Sequence, residues 1–130
     1  MNELPSNLLT SSTQNSHGRK ETGDLGERLA EKFLITKGYS TLARNYRIPG
    51  GEIDIVAKKG AIIVFVEVKT RRGSNFGEAF EAIDRRKKQK LLRAIRHYLE
   101  ENGRRPWRCD LIAIDLLAAQ IRHFKNIFLI

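Results

Sequence analysis

Apolar and polar residues follow two periodicities along the chain, one typical of helices and one typical of strands. Leu25, Leu29 and Phe33 are spaced by four residues, as on one face of a helix, whereas strand-like apolar runs fill the middle of the chain. The predicted elements, in chain order, are a helix over residues 22–37, strands over 39–48, 52–57 and 61–70, a helix over 85–102 that Asp84 caps, a strand over 107–117 and a fifth strand over 121–130.

This order of elements, α-β-β-β-α-β-(β), predicts an α/β fold in which helices flank a mixed central sheet. The strand over 61–70 has the most continuous apolar run, so we expect it at the centre of the sheet. With the helix over 85–102 and the strand over 107–117 it can form a right-handed crossover unit. Residues 1–21 are rich in Ser, Thr, Asn and Gln without periodicity, which predicts a disordered leader before one domain over 22–130.

The charge of the chain is strongly positive and locally concentrated. Lys and Arg number 24 against 15 Asp and Glu, which leaves a formal charge of +9. Residues 85–108 hold ten of the basic residues, with only Glu100 and Glu101 against them. Such a basic field suits a polyanion such as nucleic acid, or an acidic membrane surface. Cys109 is the single cysteine, which fits a reducing compartment. The sequence has no apolar run near about 18 residues and no signal-peptide pattern, so we expect a cytoplasmic protein without a membrane span.

Charged residues interrupt the apolar strands in the middle of the chain, where charge is costly unless it is paired or holds a metal. A turn on Lys59-Gly60, or on the four residues 58–61, would place Asp54 opposite Phe65 and make Asp54 and Glu67 diagonal neighbours, with Cβ atoms roughly 7 Å apart. In that register Asp54, Glu67 and Lys69 share one face. A three-residue turn would send Asp54 to the opposite face from Glu67, so the site depends on the register.

Two carboxylates at that distance repel each other, and a divalent cation between them removes the repulsion. Oxygen ligands select hard ions such as Mg²⁺ or Mn²⁺, and Mg²⁺ keeps waters while it accepts phosphate oxygens. Asp54, Glu67 and Lys69 therefore predict a centre for phosphodiester hydrolysis, in which Lys69 orients a metal-bound water or stabilises charge on the phosphate. Glu27 of the first helix, better than Glu31, could add a third carboxylate. A strand Glu-x-Lys pair is more often a surface ion pair of small value, and that interpretation stays open at this point.

The same residues belong to a longer set of short motifs that resembles a known family. The motifs, in chain order, are Gly26-Glu27, Arg44-Asn45, Gly51-Glu52-Ile53-Asp54, Phe65-Val66-Glu67-Val68-Lys69-Thr70-Arg71, Phe76-Gly77, Lys87 and Asp110. From about Gly23 to Phe128 the chain resembles the small bacterial family typified by YraN, which is related to the restriction-endonuclease-like fold of archaeal Holliday-junction resolvases. The resemblance implies a small restriction-endonuclease-like core whose active site is an acidic residue, then Asp, then Glu-x-Lys.

Carried over by motif, the resemblance implies Glu27 as the acid of the first helix, Asp54 and Glu67 as metal ligands and Lys69 as the catalytic lysine. It implies a Mg²⁺- or Mn²⁺-dependent endonuclease that hydrolyses phosphodiester bonds in DNA, branched or otherwise structured. Related resolvases act as dimers on two-fold junctions, so a homodimer is an option, although no residue pattern here specifies its surface. The alternatives are a non-catalytic nucleic-acid-binding protein that keeps the fold, and an accessory factor that works through a protein partner.

The basic residues around the long helix are candidates for contacts with nucleic acid. A solvated outer face is the plain alternative for a charged helix, and the one-sided sign of the charge favours phosphate contacts. The candidates are Arg71 and Arg72 beside the predicted site and Lys87, Lys88, Lys90 and Arg93 on the helix, with Lys87 expected close to the scissile phosphate.

Overall fold

A computed structural model describes residues 2–4, 18–73, 81 and 83–129 of the chain. The elements are strand β1 (Asn2–Glu3), helix α1 (Gly18–Thr36), strands β2 (Ser40–Ile48), β3 (Gly51–Lys59) and β4 (Ile62–Arg71), helix α2 (Arg85–Asn102), strands β5 (Trp107–Asp115) and β6 (Gln120–Phe124), and a 3₁₀ turn (Ile127–Leu129). The predicted α/β class, the order of the helices and main strands, and the mixed sheet are confirmed.

The strands form one sheet in the order β1-β6-β5-β4-β3-β2. Strands β4 and β5 are parallel, and the other neighbouring pairs are antiparallel. Helix α2 makes the crossover that two adjacent parallel strands require. Strand β4 has the predicted central place in the core, because every residue from Ile63 to Val68 is buried although successive side chains point to opposite faces.

Each helix covers one face of the sheet. On one face, Leu29 and Leu34 of α1 share a core cluster with Val66. On the other face, Ile95 of α2 shares a core cluster with Phe65. Because neighbouring residues of β4 alternate between the two clusters, this strand lies in the middle of a three-layer α/β/α arrangement.

Helix α2 begins and ends where the sequence predicts. Asp84 has an extended backbone, and its Oδ1 accepts a hydrogen bond from the backbone N–H of Lys87 at 2.9 Å. Gly103 follows the helix with a φ of 92°, a conformation that glycine adopts without strain. Both boundaries therefore follow from local capping chemistry.

The start of the chain differs from the predicted disordered leader over residues 1–21. Helix α1 begins at Gly18, about one turn before the predicted start at residue 22, because residues 22–24 continue the helix and do not cap it. At the other end of this segment, Asn2–Glu3 pair with the open edge of β6, and Leu4 is buried. The leader prediction therefore fails for residues 2–4 and 18–21, and residues 5–17 lie outside the described residues.

The last predicted strand, over 121–130, is shorter in the structure. Strand β6 ends at Phe124, and Asn126 has a φ of 61°, which no continuing strand allows. The N–H of Asn126 donates to Oδ1 of Asp110 at 2.9 Å, so a buried carboxylate holds the bend before the 3₁₀ turn. No helix in the described ranges is both long and apolar enough to cross a bilayer.

Candidate active site

The pairing of β3 with β4 stops at Ile55 and Val66, and Asp54 lies where the two strands separate. Its Oδ2 accepts a hydrogen bond from the backbone N–H of Val68 at 2.8 Å. The side chain of Asp54 thus gives this N–H an acceptor beyond the end of the β3–β4 ladder. The carboxylate is fixed at the opening between the strands.

The regular alternation of side chains breaks at the same point. Ile55 belongs to the core cluster under α1, whereas Ile53 belongs to the cluster under α2. An unbroken strand would put both on one face, as the sequence predicts. Across from Asp54, Asn45 of β2 has a φ of 50° in the left-handed region. Strands β2 and β3 are therefore both irregular at Asn45 and Asp54. As a result, Ile53, which precedes Asp54, faces the side of the sheet opposite to the one that regular alternation predicts.

The hairpin between β3 and β4 turns on Gly60-Ala61, one residue later than predicted. Gly60 has a φ of 59°, as the first position of such a two-residue turn requires. Val56 therefore faces Phe65, the position predicted for Asp54, and the diagonal register is wrong. The pairing moves by two positions, which keeps the predicted parity within the β3–β4 ladder as far as Ile55, while Asp54 lies just beyond the end of that ladder.

Glu67 is the most buried acid of the site, at 3% exposed, and two ammonium groups meet it. Nζ of Lys69 lies 3.4 Å from its Oε1, and Nζ of Lys87 lies 3.1 Å from the same oxygen. Lys69 comes from the same strand, and Lys87 comes from the first turn of α2. The fold thus places Asp54, Glu67, Lys69 and Lys87 together at one end of β4.

Burial and, after it, the charge of Glu67 raise the pKa of Asp54 to about 8, although the hydrogen bond from the N–H of Val68 works in the opposite direction. Burial lowers the pKa of Lys87, but the charge of Glu67 and their hydrogen bond outweigh it, so the net shift is upward. At neutral pH the site therefore favours a proton on Asp54 and a charged Lys87.

The donor set fits a hard divalent cation. A cation at Asp54 would take the place of the proton there and remove the repulsion from Glu67. Among the described residues, no three His, Cys, Asp or Glu side chains come close enough together to hold a metal. Asp54 and Glu67 would therefore supply two carboxylates, and waters or phosphate oxygens would complete the shell, as is usual for Mg²⁺.

The two acids of α1 have different surroundings. Glu27 lines a hollow of about 390 Å³ together with Asp54. Burial, followed by the charges of Asp24 and other acids, raises the pKa of Glu27. Glu31 is held by Arg44 through two hydrogen bonds of 2.8 and 2.5 Å, which lower its pKa. Glu27 and Glu31 both line the hollow with Asp54, but Glu31 is committed to its ion pair with Arg44, which leaves Glu27 as the better candidate for the third carboxylate.

Gly26 allows α1 to approach β4 closely enough to bring Glu27 beside the site. A Cβ atom at this position would lie 1.8 Å from Oγ1 of Thr70 and 2.9 Å from its Cβ. The sequence does not predict this contact, although Gly26 and Thr70 both belong to the motifs shared with the family. The only sign in the sequence was a glycine inside an otherwise regular helix.

The remaining basic candidates lie around this cluster. Arg71 and Arg72 are exposed where β4 ends, and on α2 Lys90 and Arg93 are exposed while Lys88 is half-buried. The motif Phe76-Gly77 lies outside the described residues. The basic side chains that approach the carboxylates most closely are therefore Lys69 and Lys87 among the residues whose placement is described.

Comparison with known proteins places the chain in a family. The model of the Uncharacterised protein family UPF0102 matches residues 26–114. The chain belongs to this family. A UPF0102 protein of Methylobacillus flagellatus is 47% identical over 96 residues, which cover 74% of this chain and 85% of that protein. A UPF0102 protein of Clostridioides difficile is 40% identical over 111 residues, with coverages of 84% and 97%.

Among solved structures, SfsA of Pyrococcus furiosus in complex with Ca²⁺ is similar at 14% sequence identity and a TM-score of 0.31. The match covers 82% of this chain but 63% of the SfsA chain. A TM-score at this level does not establish a shared fold. The restriction-endonuclease-like fold therefore stays a prediction from the motifs, while the α/β architecture rests on the structure itself.

Proposed function

We propose that the protein is a metal-dependent nuclease of the cytoplasm that hydrolyses phosphodiester bonds in DNA, including branched or structured DNA. The observation that supports this function is the meeting of Asp54, Glu67, Lys69 and Lys87 at the point where β3 and β4 separate. Two carboxylates and two ammonium groups in a partly buried place match the needs of phosphate-ester hydrolysis. A homodimer remains a prediction.

Each side chain has a distinct part in this function. When bound, Mg²⁺ or Mn²⁺ supplies a Lewis acid and a bound water of lowered pKa. Asp54 releases its proton to become a ligand, while Glu67 offers a carboxylate oriented by two lysines. The side chain of Lys69 is 24% exposed, so its ammonium group can reach a phosphate at the surface and stabilise negative charge there. Lys87 holds Glu67 in place and adds positive charge.

A non-catalytic nucleic-acid-binding protein is the second candidate. The ion pairs of Glu67 with Lys69 and Lys87 favour it, because they already compensate one buried carboxylate without a metal. In that case Asp54 would keep its proton and serve as a hydrogen-bond acceptor for Val68.

A cleavage assay separates the two candidates. Linear, single-stranded, flapped and four-way DNA are incubated with the protein and Mg²⁺ or Mn²⁺, and products are resolved by denaturing electrophoresis. We expect cleavage by the wild type, and a loss on the order of 100-fold or more in Asp54→Ala and Lys69→Ala, because each removes a ligand or a charge at the phosphate. Lys32→Ala, which changes an exposed lysine of α1, is the matched control and should keep full activity.

The outcomes are distinct. Cleavage that survives both Asp54→Ala and Lys69→Ala would reject this site as the source of the activity. Bound but uncleaved DNA in every form would reject the nuclease and favour the second candidate. Calorimetric titration with Mn²⁺ adds an independent check, since heat of binding should be lost in Asp54→Ala and kept in Lys32→Ala.

A further inference from the structure

Two hollows adjoin on the surface beside the candidate site. The nearer one, of about 330 Å³, is lined by Glu52 and Lys87 of the site region together with Arg47 and Lys90. The farther one, of about 450 Å³, begins at Ile48 and extends along the next turns of α2. Ile48 lines both hollows. The two hollows are therefore neighbours beside α2, and together they are here named the α2 groove.

The farther half of the α2 groove combines apolar and cationic surface. Ile48 and Leu92 are half-buried and provide an apolar wall. Arg93 and Arg96 are exposed and provide positive charge, with Glu100 as the acidic member of the lining. Phosphate groups need only the cations, so the apolar wall calls for a ligand that also has a flat, uncharged face.

The groove is held in shape by contacts on both sides. Nη1 of Arg93 donates to the carbonyl oxygen of Gly50 at 3.3 Å, which ties α2 to the turn between β2 and β3. Nδ1 of His97 lies 2.6 Å from the hydroxyl oxygen of Tyr46 and 3.1 Å from Oε1 of Glu101. These contacts fix the orientation of the His97 ring, which lines the groove and offers an aromatic plane.

We propose that the α2 groove binds an unpaired segment of the nucleic-acid strand that continues from the candidate site. A duplex hides the faces of its bases and meets protein mainly through phosphates, whereas an unpaired strand presents both bases and phosphates. Lys90 of the nearer hollow and His97 of the farther one lie seven residues apart on the same side of α2, and the helix rises about 10 Å between them, the span of about three nucleotides at the rise of one strand. The proposal rests on the proposed function and adds its substrate class, DNA with a single-stranded part. The sequence alone indicates neither Arg96 nor His97 as a contact for nucleic acid.

Binding in EDTA tests the groove without any contribution from hydrolysis. Fluorescence anisotropy compares a labelled single-stranded oligonucleotide, a blunt duplex of the same length and a duplex with a single-stranded tail, over a range of KCl concentrations. We expect the wild type to bind the single strand and the tailed duplex several-fold more tightly than the blunt duplex.

Two variants separate the roles of charge and apolar surface. Arg96→Ala should lower the slope of log affinity against log salt by about 0.7 for the single strand, because one phosphate contact is lost, and Arg96→Lys should restore it. Leu92→Ser should weaken single-strand binding several-fold with the slope unchanged, because it removes contact with a base. Arg122→Ala changes an exposed arginine on β6, across the sheet from β2, and should have neither effect.

Equal binding of blunt duplex and single strand by the wild type would overturn the proposal, as would identical behaviour of Arg96→Ala and Arg122→Ala. If Arg96→Ala and Leu92→Ser leave single-strand binding unchanged while the wild type cleaves DNA, the groove proposal is rejected and the nuclease proposal stands. The expected groove effects with no cleavage of any DNA would support the groove and reject the nuclease. Unchanged melting temperatures confirm that each variant is folded.

Discussion

At the scale of single residues, the site depends on how differently two neighbouring carboxylates are compensated. Glu67 is nearly inaccessible to solvent and has two ammonium groups at one oxygen. For Asp54 the described residues supply a backbone N–H but no ion pair. Burial without an ion pair raises the pKa of Asp54, and a shifted carboxyl of this kind is typical of sites that bind a cation or perform acid–base chemistry.

The raised pKa of Asp54 predicts how stability depends on pH in the absence of metal. The pKa of this carboxyl is 3.8 in a model peptide and about 8 in the folded protein, so the folded state binds the proton more tightly than the unfolded state. Its stabilising contribution is complete below about pH 4 and is lost as pH rises through about 8. Asp54→Asn cannot ionise, yet its amide oxygen can still accept from Val68.

We therefore expect Asp54→Asn to be more stable than the wild type at pH 9 by about 1 kcal/mol or more, and the two to converge near pH 4. Urea unfolding in EDTA measures the difference, with fluorescence of the single Trp107, which packs on Phe65 and Phe128, as the probe. Asp24→Asn on the exposed part of α1 is the matched control. A constant difference between wild type and Asp54→Asn across this pH range would contradict the expectation.

At the scale of elements, the placement of α1 against β4 depends on one missing side chain. An added Cβ at Gly26 would overlap Thr70, and even rotation of the threonine would leave its Cβ at 2.9 Å. Helix α1 would have to move away from β4, and Glu27 would move with it. The same helix has Gly23, where an added Cβ meets nothing within 4 Å.

This pair of glycines predicts opposite effects of the same substitution. Gly26→Ala should destabilise the protein by about 1–3 kcal/mol through overpacking, and Gly23→Ala should stabilise it by about 0.5–1 kcal/mol through helix propensity. Thermal unfolding followed by circular dichroism measures both. Adding Thr70→Ala to Gly26→Ala should recover part of the loss, since it removes Oγ1 and Cγ2 but keeps Cβ. Equal melting temperatures for the two single variants would refute the close contact.

At the scale of the whole molecule, a buried polar network around Asp110 connects β5 with β6 and with the turn after β6. Asp110 is fully buried, and Nε of Arg108 contacts both of its oxygens at 3.0 and 3.1 Å. Nε2 of His123 lies 2.7 Å from Oδ2, and the N–H of Asn126 donates to Oδ1. The network joins β5, β6 and the turn that follows them, and Nη2 of Arg108 also donates to the hydroxyl of Tyr39 at 2.5 Å.

Removal of this carboxylate should affect the stability of the whole domain. Asp110→Ala leaves Arg108 and the N–H of Asn126 without their buried acceptor, so we expect a loss of about 3–5 kcal/mol. Chemical unfolding measures it, and Glu101→Ala, which removes an exposed carboxylate of α2, should cost less than about 1 kcal/mol. A similar small cost for both variants would show that the network does not hold the strands together.

The sequence alone predicts most of the fold because its signals are local. The apolar run of β4 predicts its central place, and Asp84 and Gly103 mark the ends of α2 through their own backbone and side-chain chemistry. The motif around Glu67 and Lys69 could be recognised for the same reason, since strand alternation relates two residues of one segment. The extra turn of α1 and the pairing of Asn2–Glu3 are not evident from the sequence. The pairing in particular depends on an edge that β6, distant in the chain, supplies.

The sequence by itself thus determined the two helices and the main strands, the α/β class and the acidic and basic residues that would gather near β4. Only the tertiary structure decided the turn on Gly60-Ala61, the break in alternation at Asp54 and the ion pair of Lys87 with Glu67. Local periodicity cannot fix these features, because each is a balance among segments distant in the chain. Burial on both faces of the sheet determines which register and which charge pairs are stable.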